Sequence, residues 1–304
     1  MLETIRRIIV PTDFSDLSDI AMRSAVALGR RDSASIHLLH VIRLPFLHTN
    51  YDVNVPEAIW EGIRKGTQER MDAARKQLLE AGVAEVEQIV SESLRPAEAI
   101  KKFAEEREAD LVVMATHGRA GIKHSFIGSI TERTLRTSSV PVLAIKDTGA
   151  EGLPIRRILV PTDFSPPSQE ATRLACSLAE RFGAAIDVLY VLEGWPGYLQ
   201  FASAEAIDFE TRAQAAMGDR LESVKTEMSR SNLSVSAHLR KGIAADVIVD
   251  EADRLGADLI VMGTHGHRGI AHLALGSVTE RSLRMAPCSV LTTHASLEES
   301  SGAG

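Results

Sequence analysis

Gly263-Thr264-His265-Gly266 and, after nine intervening residues, Gly276-Ser277-Val278-Thr279 form the stretch from which the rest of the chain is read. It follows Asp258-Leu-Ile-Val-Met262, a short apolar run of β-formers, and leads into Ser277–Met285, whose pattern reads as a helix. Strand, glycine-punctuated loop and helix N-terminus is an arrangement in which main-chain N–H groups can cradle a phosphate. A related stretch stands earlier, at Ala115-Thr116-His117-Gly118 and Gly128-Ser129-Ile130-Thr131.

That pairing belongs to a longer repeat. Ile5-Arg-Arg-Ile-Ile-Val-Pro-Thr-Asp-Phe-Ser15 returns as Ile155-Arg-Arg-Ile-Leu-Val-Pro-Thr-Asp-Phe-Ser165 with one substitution. The chain is a duplication of one domain of about 150 residues, a period far too long for a solenoid. Domain 1 is expected over residues 1–147 and domain 2 over 154–295. Residues 148–153, with glycine and proline, read as the linker, and the polar 296–304 as a disordered tail.

Each half alternates strand and helix. In the first, strands are expected at Ile5–Val10, Ser35–Val41, Glu85–Ser91, Asp110–Ala115 and Val140–Lys146. Helices fall between them: one capped by Ser15, then Pro56–Ala81 after a loop at Arg43–Val55, Pro96–Glu108 and Ser129–Thr137. The second half repeats this with strands at Ile155–Val160, Ala185–Val191, Leu233–Leu239, Asp258–Met262 and Cys288–Thr293. Its helices are Pro166–Phe182, with Pro166 in a favoured N1 slot, Glu205–Ser231, Ala244–Leu255 and Ser277–Met285. Such alternation implies right-handed crossovers and a parallel sheet covered on both faces. Ligands then bind beyond the carboxyl ends of strands where the winding reverses. The marked strand ends are the first, with Asp13 or Asp163, and the fourth, with its glycine loop. If these strands are neighbours, both motifs meet over one crevice.

Composition bounds the function classes. The 304 residues are 44% hydrophobic and 25% charged, as for an ordinary globular protein. A net charge of −7 and a pI near 5.8 argue against general binding to nucleic acid or anionic membrane. No apolar run nears the roughly 18 residues of a membrane span, and no signal peptide opens the chain. Cys176 and Cys288 lie at apolar-patterned positions without a partner motif, which fits a reducing, cytoplasmic setting.

Gly-x2-Gly-x9-Gly-Ser after the fourth strand, with Val-Pro-Thr-Asp-Phe-Ser after the first, resembles the universal stress protein family in its tandem two-domain form. The resemblance implies two Rossmann-like α/β domains, each a parallel sheet ordered 3-2-1-4-5 with helices on both faces. It further implies ATP or AMP bound between strands 1 and 4, with Mg2+ as an accompanying ion, and a role in stress survival. Fifth strands would pair, here as an intramolecular pseudo-dimer, with a homodimer as a further assembly. Carried onto matching positions, Asp163 and Val191 stand on the base and ribose side, and Gly263, Gly266, Gly276, Ser277 and Thr279 line the phosphates. Pro161, Thr162, Met262, His265 and Val278 are further expected site residues. The first-half equivalents are Pro11, Thr12, Asp13, Val41, Gly118, Gly128, Ser129, Ile130 and Thr131. The first half departs from the pattern at Ala115, where nucleotide-binding members have Gly, which puts its site in doubt.

Each residue also has a plainer role. The glycines could serve positive φ alone. Ser129-Ile-Thr-Glu132 and Ser277-Val-Thr-Glu280 match the S-x-x-E capping box, so these serines either touch ligand or close helix termini. Asp13 and Asp163 could be caps, though Ser15 and Ser165 are better placed for that. His265, His267 and His272 read as loop histidines, since neither cysteine pairs nor spaced carboxylates accompany them. His37 and His40, three apart on a strand, should point to opposite faces. There is no G-x-x-x-x-G-K-[ST], G-x-S-x-G, H-E-x-x-H or C-x-x-C. Without a P-loop lysine, only Arg119, Lys123, His267 and Arg268 offer loop charge to a γ-phosphate. An adenine-nucleotide sensor or regulator is therefore expected rather than a fast enzyme. The alternatives are a slow ATPase or self-phosphorylating protein using the same site, and an interaction module that binds no nucleotide.

Overall fold

The first strand of each half is apolar enough to be buried on both faces, and the topology follows from that. In the computed structural model, which describes residues 4–43, 56–116, 127–147, 152–193, 204–264 and 275–293, Ile8, Ile9 and Val10 are fully buried, as are Ile158, Leu159 and Val160. The chain divides into two compact units, residues 2–153 and 154–304.

In the first unit the strands are β1 (Arg7–Pro11), β2 (Ser35–Arg43), β3 (Val86–Ser93), β4 (Leu111–Ala115) and β5 (Val142–Ile145). They lie in the order β3-β2-β1-β4-β5, and every pair is parallel. Between them run α1 (Asp16–Gly29), α2 (Glu57–Glu80), α3 (Pro96–Glu106) and α4 (Ser129–Thr137). The strands step one way from β1 to β3, then return past β1 to β4 and β5. Right-handed crossovers therefore place α1 and α2 on one face and α3 and α4 on the other. Contacts within each of these helix pairs agree with that division.

The second unit repeats the plan with β6 (Arg157–Pro161), β7 (Ala185–Leu192), β8 (Val235–Lys241), β9 (Leu259–Gly263) and β10 (Ser289–Thr293). Its order is β8-β7-β6-β9-β10, again all parallel. The helices are α5 (Pro166–Phe182), α6 (Ala204–Met228), α7 (Ala244–Leu255) and α8 (Ser277–Met285). The expected Rossmann-like architecture is present in both halves.

Element ends shift for identifiable reasons. Ile5 stays outside β1 because its N–H donates to the Asp32 carboxylate at 2.6 Å. The fifth strand starts at Val142, not Val140: Val140 N–H donates to Ser138 Oγ at 3.1 Å, and Pro141 has no N–H to offer. The helix expected to reach Ser231 ends at Met228 and tightens into a 3₁₀ turn over Ser229–Ser231. The Arg43–Val55 loop and the tail lie outside the described residues, apart from Arg43, which closes β2.

One polar device recurs that the pattern of apolar residues does not reveal. Asp110 Oδ2 accepts from the Arg6 and Arg7 N–H groups at 2.7 and 2.9 Å. Asp258 Oδ2 does the same for Arg156 and Arg157 at 2.9 and 3.0 Å. Each carboxylate ties the entry of the fourth strand to that of the first, at the amino ends of these central strands.

Candidate functional site

The marked strand ends are neighbours. Ile8 and Ile9 of β1 lie opposite Leu111 and Val112 of β4, and Ile158 and Leu159 of β6 opposite Leu259 and Ile260 of β9. In each unit this is where the strand order reverses, so the turn after the first strand and the start of the fourth helix share one crevice.

The turn after β1 is built by its own side chains. Asp13 Oδ1 accepts from Ser15 N at 3.1 Å, Ser15 Oγ at 2.6 Å and Ser18 Oγ at 2.5 Å. Asp163 Oδ1 accepts from Ser165 N at 3.0 Å and Ser165 Oγ at 2.5 Å. Ser15 caps α1 by accepting from Ser18 N, as expected. Ser165 occupies the cap position of α5 but makes no side-chain capping bond, and its hydroxyl donates to Asp163. Thr12 and Thr162 are buried, and their Oγ1 atoms accept from Phe14 N and Phe164 N at 3.0 Å. Pro11 and Pro161 close β1 and β6, while Val41 and Val191 sit half-buried near the ends of β2 and β7.

Sequence reasoning missed the residue between Asp and Ser. Phe14 and Phe164 have φ of +60° and +64°, a left-handed backbone that stores on the order of 1–3 kcal/mol in a bulky residue. The Phe164 ring stacks on Tyr190 at 5.0 Å, with the Arg220 guanidinium 4.3 Å from its centroid. Phe14 stacks on His40 at 4.5 Å, with Arg70 at 5.7 Å. These six residues occupy matching places in the repeat, 150 apart, and that spacing is the signal that could have found them. Burial, and then the Asp163 carboxylate, push the Tyr190 phenol above its ordinary value. His40 Nδ1 hydrogen-bonds to Thr12 O at 2.7 Å, whereas His37 Nδ1 pairs with Glu87 Oε2 at 2.6 Å.

On the other side of the crevice, the capping-box expectation is corrected. Gly128 and Gly276 are the N-caps of α4 and α8, and Ser129 and Ser277 are the first helical residues. The register is fixed because Gly128 N–H donates to Thr116 O at 2.7 Å and Gly276 N–H to Thr264 O at 2.8 Å. Both glycines have ordinary backbone, φ −59° and −58°, so positive φ is not their reason. They leave the helix ends without a capping side chain. The first-turn N–H groups of Ser129, Ile130 and Thr131, and of Ser277, Val278 and Thr279, have no main-chain acceptor among the described residues. Ser129 and Ser277 are exposed, and no described group holds their hydroxyls. Thr131 and Thr279 are buried, and their hydroxyls donate to Ala115 O and Gly263 O at 2.8 and 2.9 Å. Those two threonines fasten helix to strand, leaving their N–H groups for the crevice.

Gly263 also has a role of its own. A Cβ there would meet Pro167 Cβ at 2.8 Å and Pro167 C at 3.0 Å, and its φ is not in the left-handed range. Leu17 stands in the place of Pro167 in the first half, and Ala115 is buried at 9% exposure. At Gly263, then, helix–strand packing limits what a side chain can occupy. Met262 is a buried strand residue. Gly118, His265 and Gly266 lie outside the described residues, as do His117, His267, His272, Arg119, Lys123 and Arg268. Among the described residues no group of three or more His, Cys, Asp or Glu could hold a metal ion, and no helix is long and apolar enough to cross a membrane.

Two tandem parallel units with a reversal-point crevice at the end of each first strand place the protein in the duplicated Rossmann-like class. The universal stress protein family model matches residues 4–146 and again 154–294, and the chain belongs to that family. A universal stress protein of Methanocaldococcus jannaschii is 34% identical over 149 residues, covering 46% of this chain and 82% of that protein. A homolog of universal stress protein A from Coxiella burnetii is 32% identical over 142 residues, covering 45% and 94%. The crystal structure of a universal stress protein from Archaeoglobus fulgidus matches both halves, with a TM-score of 0.72 over 97% of this chain and 98% of that one. At 20% identity it bears on the fold alone.

Proposed function

We propose that each half binds an adenine nucleotide, ATP or AMP, at its strand ends, and that the protein works as a cytoplasmic stress sensor or regulator rather than a fast enzyme. One observation carries this: an Asp-bearing turn and the bare N-terminus of a helix meet at neighbouring strand ends, twice in one chain. A carboxylate at a strand end suits ribose hydroxyls or a base amino group. Unpaired first-turn N–H groups and the helix dipole suit phosphate. Mg2+ would enter with the nucleotide's phosphates, and bound nucleotide would bias the surface a protein partner meets. Mass spectrometry of small molecules released from purified, heat-denatured protein tests this. AMP or ATP at one or two per chain is expected. No nucleotide, together with no thermal shift on adding either, would favour an interaction module instead.

A second reading rests on the exposed hydroxyls of Ser129 and Ser277 at the helix starts. Either could accept a phosphoryl group in slow self-phosphorylation, or stand beside slow hydrolysis. Incubation with γ-labelled ATP and Mg2+ separates the two; label or phosphate release lost in Ser277→Ala would favour the enzyme.

A further inference from the structure

Phe164 is an odd choice for its backbone. At φ +64° a glycine or asparagine would sit with less strain, yet both copies of the repeat place phenylalanine there. What distinguishes the position is what the ring touches. Phe164 is 4% exposed, stacked on Tyr190 from the C-terminal part of β7 and against Arg220 from α6. Three elements thereby grip one residue of the turn, and the residues on either side of it are Asp163 and Ser165. The Asp163 carboxylate is set by that turn through its bonds from Ser165 N and Oγ.

We infer that Phe164 is a positioning residue: its stack with Tyr190 and Arg220 holds the left-handed backbone that fixes the Asp163 carboxylate at the end of β6. In the first half the corresponding stack is more exposed, although its rings lie closer, 4.5 against 5.0 Å, and Asp13 also accepts from Ser18 Oγ. Phe14 is only half-buried, Arg70 lies 5.7 Å from its centroid, and the stacking partner His40 is tied to Thr12 O. The link to affinity rests on the nucleotide reading above; the link to turn geometry does not.

The test uses the full chain with the first half disabled by Gly128→Val. AMP affinity is measured by calorimetry for this background and for Phe164→Val, Phe164→Tyr and Arg220→Gln added to it. A β-branched residue resists positive φ, so Phe164→Val should weaken binding about tenfold or more, and Phe164→Tyr should rescue it. Arg220 is exposed, so Arg220→Gln tests the stack with little risk to folding, and about a three- to tenfold loss is expected. In nucleotide-free protein, hydrogen exchange at the Ser165 amide should accelerate in Phe164→Val and Arg220→Gln but not in Phe164→Tyr. Unchanged affinity and unchanged Ser165 exchange in both weakened variants, with only a lower melting temperature, would overturn the inference. If the parent protein binds no nucleotide, the functional reading fails on its own, and Ser165 exchange still decides the positioning role.

Discussion

A Cβ on Gly263 would lie 2.8 Å from Cβ of Pro167, so the last residue of β9 is kept bare by the helix packed over it. Gly263→Ala should destabilise the second unit by about 1–3 kcal/mol. Adding Pro167→Leu should recover little of the loss, because the atoms the new methyl meets, Cβ, C and O of residue 167, are present in leucine as well. Urea unfolding of the two single variants and the double variant measures the coupling directly.

The aspartate clamps at the amino ends of the central strands predict a stability effect without a binding effect. Asp258 serves two main-chain N–H groups at once. Asp258→Ala leaves both without that acceptor and should cost about 1–3 kcal/mol in denaturant unfolding. Asp110→Ala should do likewise in the first unit.

Glu87 makes the first unit acid-sensitive. The hydrogen bond from Arg107 holds its carboxyl below the ordinary 4.5, against an upward push from burial and with further help from His37. A depressed folded-state value means the contribution is fully present above the unfolded value and is lost as pH falls through the folded one. Glu87→Gln should therefore lower the melting temperature at neutral pH and flatten its decline below about pH 4.5.

Cys176, on α5, should be a slow thiol. Burial, and then the charges of Glu180 and Glu227, raise it to about 11. At pH 8 a disulfide reagent should label it far more slowly in native protein than in urea. Equal rates would contradict this.

The fold was legible because its signals were redundant. The Ile5–Ser15 stretch recurs nearly unchanged, its strands are continuous apolar runs, and strand–helix alternation leaves few topologies open. Site positions were legible only where chemistry showed in residue type. Asp13 and Asp163 announced themselves, but the capping box misled. S-x-x-E fits a cap by composition, whereas the hydrogen bonds of Gly128 and Gly276 set the helix start one residue earlier. The close approach that excludes a methyl at Gly263 was not legible either, because its partner, Pro167, lies on another element. The aromatic stack escaped because its members are scattered over three elements, and a positive φ leaves no mark on a phenylalanine codon by codon.

Nucleotide binding at the strand ends is the central claim, and calorimetric titration of the intact chain with ATP and AMP tests it most directly. Gly276→Val is the informative variant, since its backbone at φ −58° and ψ 141° accepts valine while the added side chain covers the start of α8. Two sites per chain are expected in the parent protein. One should remain in Gly276→Val or Asp163→Ala, with the protein still folded and the melting temperature of Asp163→Ala lowered by the loss of its bonds from Ser165 N and Oγ. Unchanged stoichiometry and affinity in both variants, or no binding heat in the parent protein, would contradict it.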